Sequence, residues 1–256
     1  MLHDPDIASV VTRLRSARHV LILTGAGVSA ESGVPTFREA QTGLWAQFDP
    51  HQLATPDAFA RDPARIWAWY RWRKELLRRA QPNDAHRVIA AWQTRWPQMT
   101  VVTQNVDGLH QAAGLREPLE LHGSLARARC SGCDMRIDWD DVPDDALPRH
   151  ACGALLRPDV VWFGEMLPHD TLERAMAAAE DCDLCLAIGT SGVVYPAAAL
   201  PQVARQSGAF VVELNPESTP LSDVAALCLR MPAGAGMRAL QETLARRGDR
   251  DRDALH

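Results

Sequence analysis

The sequence predicts an α/β fold in which a Rossmann-like, doubly wound parallel sheet carries a small second lobe. Short apolar runs bounded by glycine or proline alternate with helical patterns, an order typical of parallel strands whose two faces are covered by helices. The chain has 256 residues, 46% of them hydrophobic and 23% charged, so it can bury a sizeable core without disulfides. Two segments that lack this alternation, residues 35–81 and 127–157, are expected to form the small lobe.

Four short apolar runs predict the strands of the parallel sheet, and five longer patterns predict helices. The predicted strands cover residues 19–24, 99–103, 183–188 and 208–214. The predicted helices cover residues 7–17, 63–80, 85–96, 170–180 and 236–246. We assign residues 1–34, 82–126 and 158–247 to the large lobe and expect the charged tail, residues 248–256, to be frayed.

Charge and hydropathy argue against several classes of protein. With 27 Lys plus Arg against 32 Asp plus Glu, the net charge of −5 lacks the basic footprint of a nucleic-acid binder. The first twenty residues are charged and contain no long apolar run, so we expect no signal peptide. The uncharged stretch 184–204 contains two glycines and two prolines, which argue against a membrane-spanning helix. We therefore expect a cytoplasmic protein that binds neither nucleic acid nor membrane, and the sequence leaves its oligomeric state open.

A glycine-rich motif follows the first predicted strand. Gly25-Ala-Gly-Val-Ser-Ala30 fits G-x-G-x-x-G/A and is expected to open a helix. Glycines let the backbone approach a pyrophosphate, so dinucleotide binding and a plain tight turn are about equally supported. An acidic residue about twenty positions later would normally hold the ribose. Asp49 is the only candidate, which departs from the usual dehydrogenase pattern.

Polar residues follow the second predicted strand. Gln104, Asn105 and Asp107 come where the carboxyl ends of parallel strands bind ligands, although a capped polar loop explains them equally well. His122 lies after a short apolar pair. A lone histidine is more often structural than catalytic, so position alone makes it a weak candidate for a general base.

Three cysteines in the second insertion have part of a zinc-site pattern. Cys130 and Cys133 form a C-x-x-C pair and Cys152 follows, but Arg149 stands where a fourth cysteine belongs. Arginine has no lone pair for a metal, whereas His150 can be a ligand, with Asp144 or Asp145 as weaker substitutes. A lobe that has lost its metal is the alternative. Cys182 and Cys185 are interpreted as buried core residues.

Tyr70 and Arg73 lie three residues apart on a predicted helix and so share a face. A guanidinium and a hydroxyl can grip a carboxylate together. Four further arginines on the same helix make a solvated face the more frequent explanation for such a pair.

Together these segments resemble the sirtuins, which are NAD-dependent lysine deacylases. The motifs that carry the resemblance are Gly25-Ala-Gly-Val-Ser-Ala-Glu-Ser-Gly-Val-Pro-Thr-Phe-Arg38, Thr103-Gln-Asn-Val-Asp-Gly-Leu-His110, Leu121-His-Gly-Ser124, Arg157-Pro-Asp-Val-Val-Trp-Phe-Gly-Glu165, Gly189-Thr-Ser191 and Asn215-Pro-Glu217. They occur in the family's order. The resemblance implies a Rossmann lobe and a small lobe built from a helical and a zinc-ribbon-like insertion.

The resemblance also implies roles for individual residues. His122 is the expected base, assisted by Asn105, in a reaction that yields nicotinamide, acyl-ADP-ribose and free lysine. The expected NAD-binding residues are Gly25, Ala26, Gly27, Ser29, Phe37, Arg38, Trp45, Gln104, Asn105, Asp107, Gly189, Thr190, Ser191, Asn215, Glu217 and Ala233. The expected residues for the acylated lysine of a protein substrate are Ala54, Tyr70, Arg73, Val161, Gly164 and Glu165. The expected ligands of a structural Zn²⁺ are Cys130, Cys133, His150 and Cys152.

One branch of the family is especially similar. Thr36, Ala54 and the Tyr70–Arg73 pair resemble the desuccinylases, which implies a preference for succinyl or malonyl over acetyl groups. A non-catalytic NAD or ADP-ribose sensor and a mono-ADP-ribosyltransferase are the alternatives on this scaffold. The presence of both His122 and Asn105 favours the deacylase.

Overall fold

A computed structural model describes residues 5–35 and 53–253, with side chains as far as residue 246. Its centre is a six-stranded parallel sheet in the order β3-β2-β1-β7-β8-β9. Its strands are β1 (Val20–Thr24), β2 (Met99–Thr103), β3 (Leu119–Glu120), β7 (Leu184–Ile188), β8 (Phe210–Leu214) and β9 (Leu227–Leu229). β1 and β7 are buried at every position, as their unbroken apolar runs require.

Helices cover both faces of this sheet. The helices of the described chain are α1 (Pro5–Ser16), α2 (Pro56–Arg61), α3 (Pro63–Arg79), α4 (Asp84–Arg95), α5 (Leu109–Ala112), α6 (His169–Asp181), α7 (Leu200–Gln206) and α8 (Ala233–Asp253). On one face α1, α4 and α8 share a core with the strands, to which they contribute Val10, Ile89 and Leu240. On the other face α6 and α7 pack through small residues such as Ala175 and Ala204.

The small lobe joins α2 and α3 to a three-stranded antiparallel sheet in the order β5-β4-β6. Its strands are β4 (Gly123–Cys130), β5 (Arg136–Asp138) and β6 (Leu156–Val160). Thr55 and Asp62 cap the two helices by accepting backbone hydrogen bonds, and a proline follows each cap. The ring centroids of Trp67 and Trp139 lie 5.4 Å apart between α3 and the sheet, so the lobe has an aromatic core of its own.

The α/β architecture and the predicted strands are confirmed to within two residues at their ends. Three local expectations differ. The glycine motif opens two short 3₁₀ turns, Ala26–Val28 and Ala30–Ser32, because its backbone bonds to the end of β7. α8 continues to Asp253, beyond the end expected at residue 246. β4 also runs across the lobe boundary expected at residue 126.

Among the described residues, no helix combines the length and the apolar character that crossing a membrane requires.

Candidate active site

The site lies where the chain order of the sheet reverses. β1 has β2 on one side and β7 on the other, so the loops that follow these strands open a crevice at their carboxyl ends. The Gly27 N–H donates to the Gly189 carbonyl at 2.8 Å, which ties the two loops together. A Cβ on Gly27 would lie 2.8 Å from that carbonyl oxygen, so this approach requires glycine.

Polar side chains converge on Ser29 at the edge of this crevice. The Ser29 hydroxyl donates to Asp107 Oδ2 at 2.7 Å. Asn105 Nδ2 lies 3.2 Å from the same hydroxyl and 3.1 Å from the Gly25 carbonyl. The tertiary fold therefore brings the glycine motif and the polar end of β2 into one hydrogen-bonded group.

Two buried histidines support this group, and sequence reasoning missed both. The Asn83 N–H donates to His86 Nδ1, so His86 Nε2 carries the proton and faces the Ser29 hydroxyl at 3.4 Å. His110 Nε2 lies 2.9 Å from the Thr24 hydroxyl. Burial lowers the pKa of each histidine from 6.5 to about 4, so both are neutral at pH 7. The sequence offered one signal for these histidines, namely their position among apolar residues, His86 in a predicted helix and His110 in the loop after a predicted strand.

A second polar group lies across the crevice, at the ends of β7 and β8. Gln104 Nε2 donates to the Thr190 hydroxyl at 2.9 Å, and Asn215 Nδ2 donates to the Thr190 carbonyl at 3.0 Å. The Glu217 backbone N–H in turn donates to Asn215 Oδ1. Ser191 is exposed beside them, and the buried Ala233 begins α8. These predicted NAD-binding residues therefore lie along one edge of the sheet.

His122 directs one ring nitrogen into the protein. Its Nδ1 lies 3.0 Å from the Gln104 carbonyl, which only accepts, so Nδ1 carries the proton. Nε2 consequently has a free lone pair. Burial lowers the pKa of His122 below its ordinary 6.5, so the neutral ring persists at pH 7. This tautomer and charge state are what a general base requires.

Tyr70 and Arg73 lie together on α3, among aromatic rings. The Arg73 guanidinium is 5.8 Å from the Tyr70 ring centroid and 5.1 Å from that of Trp69. Tyr70 is fully buried, and burial raises its pKa to about 12, so the hydroxyl stays protonated. Burial also lowers the pKa of Arg73, a change that the nearby Tyr70 and Asp107 oppose. The pair offers a cation and a hydroxyl in weakly solvated surroundings.

The expected substrate segment follows β6, and one of its residues, Glu165, forms ion pairs with other residues of the protein. The Glu165 carboxylate forms two hydrogen bonds with Arg157, at 2.5 and 2.9 Å, and lies 3.4 Å from Arg129. These arginines lower the pKa of Glu165 against the effect of its burial. Glu165 therefore shapes this segment through its own ion pairs. Val161 donates its N–H to the His122 carbonyl, which places the segment beside the expected base.

Three cysteines and one histidine of the small lobe converge around one point. Cys130 and Cys152 have sulfurs 3.4 Å apart, and Cys152 and Cys133 have sulfurs 3.8 Å apart. His150 Nδ1 lies 3.2 Å from the Cys152 sulfur and 3.4 Å from that of Cys133. Ligands at about 2.3 Å from a tetrahedral zinc are separated by about 3.8 Å, so these residues fit the metal.

The local backbone explains how His150 reaches this cluster. Gly153 has a φ of 88° and donates its N–H to the His150 carbonyl, which closes a tight turn between His150 and Ala154. This turn brings the Cys152 sulfur next to the His150 imidazole, although only one residue separates them in the sequence. The Gly132 N–H also lowers the pKa of Cys130, which favours the thiolate that a metal binds. Within the described chain, Asp144 and Asp145 are absent from the cluster.

Three of the expected NAD-binding residues, Phe37, Arg38 and Trp45, lie outside the described residues, as do Thr36 and Asp49.

Comparison with known proteins connects this geometry to one family. A sequence model of the Sir2 family matches residues 25–196. The chain is 48% identical over 246 residues to the NAD-dependent protein deacylase of Methylococcus capsulatus, covering 93% of this chain and 96% of that protein. It is 51% identical over 236 residues to NAD-dependent protein deacylase 1 of Pseudomonas aeruginosa, covering 88% and 94%.

Solved structures extend the likeness to the whole fold. A crystal structure of a Sir2 homologue in complex with NAD has a TM-score of 0.87 and 45% identity, covering 92% of this chain and 93% of that one. A structure of Sir2 bound to acetylated peptide has a TM-score of 0.84 and 31% identity, covering 92% and 97%. Both lobes are included at such coverage.

Proposed function

The chain belongs to the Sir2 family, and on that premise we propose that it is an NAD-dependent protein lysine deacylase that prefers succinyl or malonyl groups to acetyl groups. Relatives named NAD-dependent protein deacylase support the general activity. The position of the half-buried Arg73 beside the fully buried Tyr70 on α3 carries the preference for an acidic acyl group.

The crevice at the carboxyl ends of the sheet fits NAD. Loops tied by the Gly27–Gly189 hydrogen bond leave glycine backbone where a pyrophosphate requires close approach. Asn105 and Asp107 provide polar atoms on one side of the crevice, and Asn215 provides them on the other. When bound, NAD supplies a ribose carbon that accepts the acyl oxygen as nicotinamide departs. The residues around it orient the dinucleotide and exclude water.

His122 is the proposed general base. Its Nδ1 proton is donated to the Gln104 carbonyl, which fixes the ring and leaves Nε2 free to accept a proton from a ribose hydroxyl. Its lowered pKa keeps Nε2 unprotonated at neutral pH. The Gln104 side chain bonds to Thr190 at the opposite loop, so one residue links the base to the far side of the crevice.

The acyl preference follows from the cost of burying charge. A succinyl or malonyl group carries a carboxylate, which costs several kcal/mol to bury without a partner. Arg73 supplies the opposite charge and Tyr70 a hydroxyl donor, and the small, buried Ala54 belongs to the same apolar cluster as Tyr70. An acetyl group has no carboxylate, so it does not gain the pairing with Arg73 that an acidic acyl group gains.

The test compares wild-type turnover of one peptide carrying acetyl-, malonyl-, succinyl- or glutaryl-lysine at the same position, with NAD in excess. We expect kcat/KM to be highest for succinyl or malonyl, and nicotinamide release to depend on the acylated peptide. A wild-type enzyme that favours acetyl-lysine would contradict the acyl preference. Nicotinamide release without peptide would contradict deacylation itself.

A further inference from the structure

Trp162 connects the Tyr70–Arg73 pair to the segment beside which the acylated lysine is proposed to bind. Its Nε1 donates a 2.9 Å hydrogen bond to the Tyr70 hydroxyl oxygen, and both side chains are buried. An indole N–H can only donate, so the Tyr70 oxygen is the acceptor. The Tyr70 hydroxyl therefore keeps its own proton for a second partner.

The indole of Trp162 is itself firmly held. The Arg157 guanidinium lies 3.3 Å from the Trp162 ring centroid, and the Phe59 ring packs at 5.2 Å. The Trp162 backbone N–H donates to Glu165 Oε2 at 2.8 Å, which joins the same ion pair. These contacts fix the orientation of the Trp162 indole, so its Nε1–H points toward the Tyr70 oxygen.

We infer that Trp162 is a positioning residue for acyl specificity, because its Nε1–H occupies one side of the Tyr70 oxygen and turns the Tyr70 proton toward the carboxylate that Arg73 pairs. The inference rests on the proposed preference for acidic acyl groups. Acetyl-lysine has no carboxylate to receive this proton. The Trp162 hydrogen bond therefore affects succinyl and malonyl substrates selectively, and a residue with only a packing role would affect every acyl group alike.

Helix α3, which carries Tyr70, also offers a matched control for Trp162. Trp67 is also fully buried, and its Nε1 donates a 2.9 Å hydrogen bond to the Leu156 carbonyl, away from Tyr70. Trp67→Phe and Trp162→Phe each keep an aromatic ring and remove one buried indole N–H. They differ in whether the lost hydrogen bond ends on Tyr70, so stability losses common to both substitutions cancel in the comparison.

The experiment measures kcat and KM for succinyl and acetyl peptides in wild type, Trp162→Phe, Tyr70→Phe, the double variant and Trp67→Phe. Trp162→Phe is expected to lower the succinyl-to-acetyl ratio of kcat/KM about three- to tenfold, mainly through the KM of the succinyl peptide. In the Tyr70→Phe background it is expected to change the ratio no further, because the acceptor is gone. Trp67→Phe is expected to lower the melting temperature and leave the ratio unchanged.

An unchanged ratio in a folded Trp162→Phe protein would overturn the inference while the proposed function stood. Equal changes in the Trp162→Phe and Trp67→Phe ratios, or a full additional loss in the double variant, would overturn it as well. Failure of the proposed function would show separately, as a wild-type preference for acetyl-lysine, and would remove the inference with it.

Discussion

The proposed nucleotide edge of the large sheet and the proposed acyl-reading surface of α3 are built from different kinds of contact. At the edge, backbone groups of Gly25, Gly27 and Gly189 bond directly to neighbouring backbone, and polar side chains complete the site. Around the Tyr70–Arg73 pair of α3 the contacts are between side chains, with Tyr70 bonded to Trp162 and Arg73 packed over aromatic rings. We therefore expect substitutions near α3 to alter the choice of acyl group without disturbing the binding of NAD.

The largest expected effect is on the chemistry at the nucleotide edge. His122→Ala is expected to lower kcat by about a hundredfold or more, because it removes the only nitrogen we place to accept the ribose proton. NAD affinity is expected to remain within a few fold, since the crevice residues are untouched, and calorimetric titration of the variant would measure it. Near-normal turnover in folded His122→Ala protein would rule out this base.

A smaller effect separates the two regions. Arg73→Met is expected to reduce succinyl turnover about thirtyfold or more while acetyl turnover is retained, because a buried carboxylate loses its charge partner. Arg79→Met is the matched control, since Arg79 is on the same helix but is 80% exposed and paired with Glu75. Equal losses on both peptides would mean that Arg73 supports the fold and does not read the acyl group.

The zinc cluster tests whether the small lobe depends on a metal. His150→Ala is expected to lower the zinc content of protein purified without chelator well below one ion per chain, because it leaves three thiolates and an open position. A lower melting temperature is expected to accompany the loss. Asp144→Ala, at an exposed carboxylate of the same lobe that lies outside the cluster, is the control. Unchanged stoichiometric zinc in His150→Ala would show that another group is the fourth ligand.

The smallest effect concerns pH and the buried histidines of the nucleotide edge. The pKa of His110 falls from 6.5 to about 4 on folding, so the unfolded chain binds a proton more readily in this window. Stability therefore decreases as pH falls from 6.5 toward 4. Between pH 6.5 and 5.5 we expect the melting temperature of wild type to drop by about 2–4 °C more than that of His110→Gln. Parallel melting curves would show that His110 does not titrate on unfolding.

Much of the fold could be predicted because its signals are local. Each of these signals lies within a short stretch of sequence. They are the apolar runs of β1, β2, β7 and β8 and the helical patterns between them. The glycine motif and the polar ends of the strands fall within such segments, so their residues could be singled out as site candidates. The burial of Cys182 and Cys185 was also predicted correctly, from the usual preference of free cysteine.

The pairing of side chains was decided by the tertiary structure, because the partners are distant in the chain. His86 reaches Ser29 across 57 positions and Trp162 reaches Tyr70 across 92 positions, and no local pattern carries such information. The ion pairs of the Glu165 carboxylate with Arg157 and Arg129 likewise arise from packing against β6 and β4. The sequence by itself determined which residue types are present and where along the chain four strands of the parallel sheet lie. Tertiary packing determined which polar groups are buried together, and so set their tautomers and pKa values.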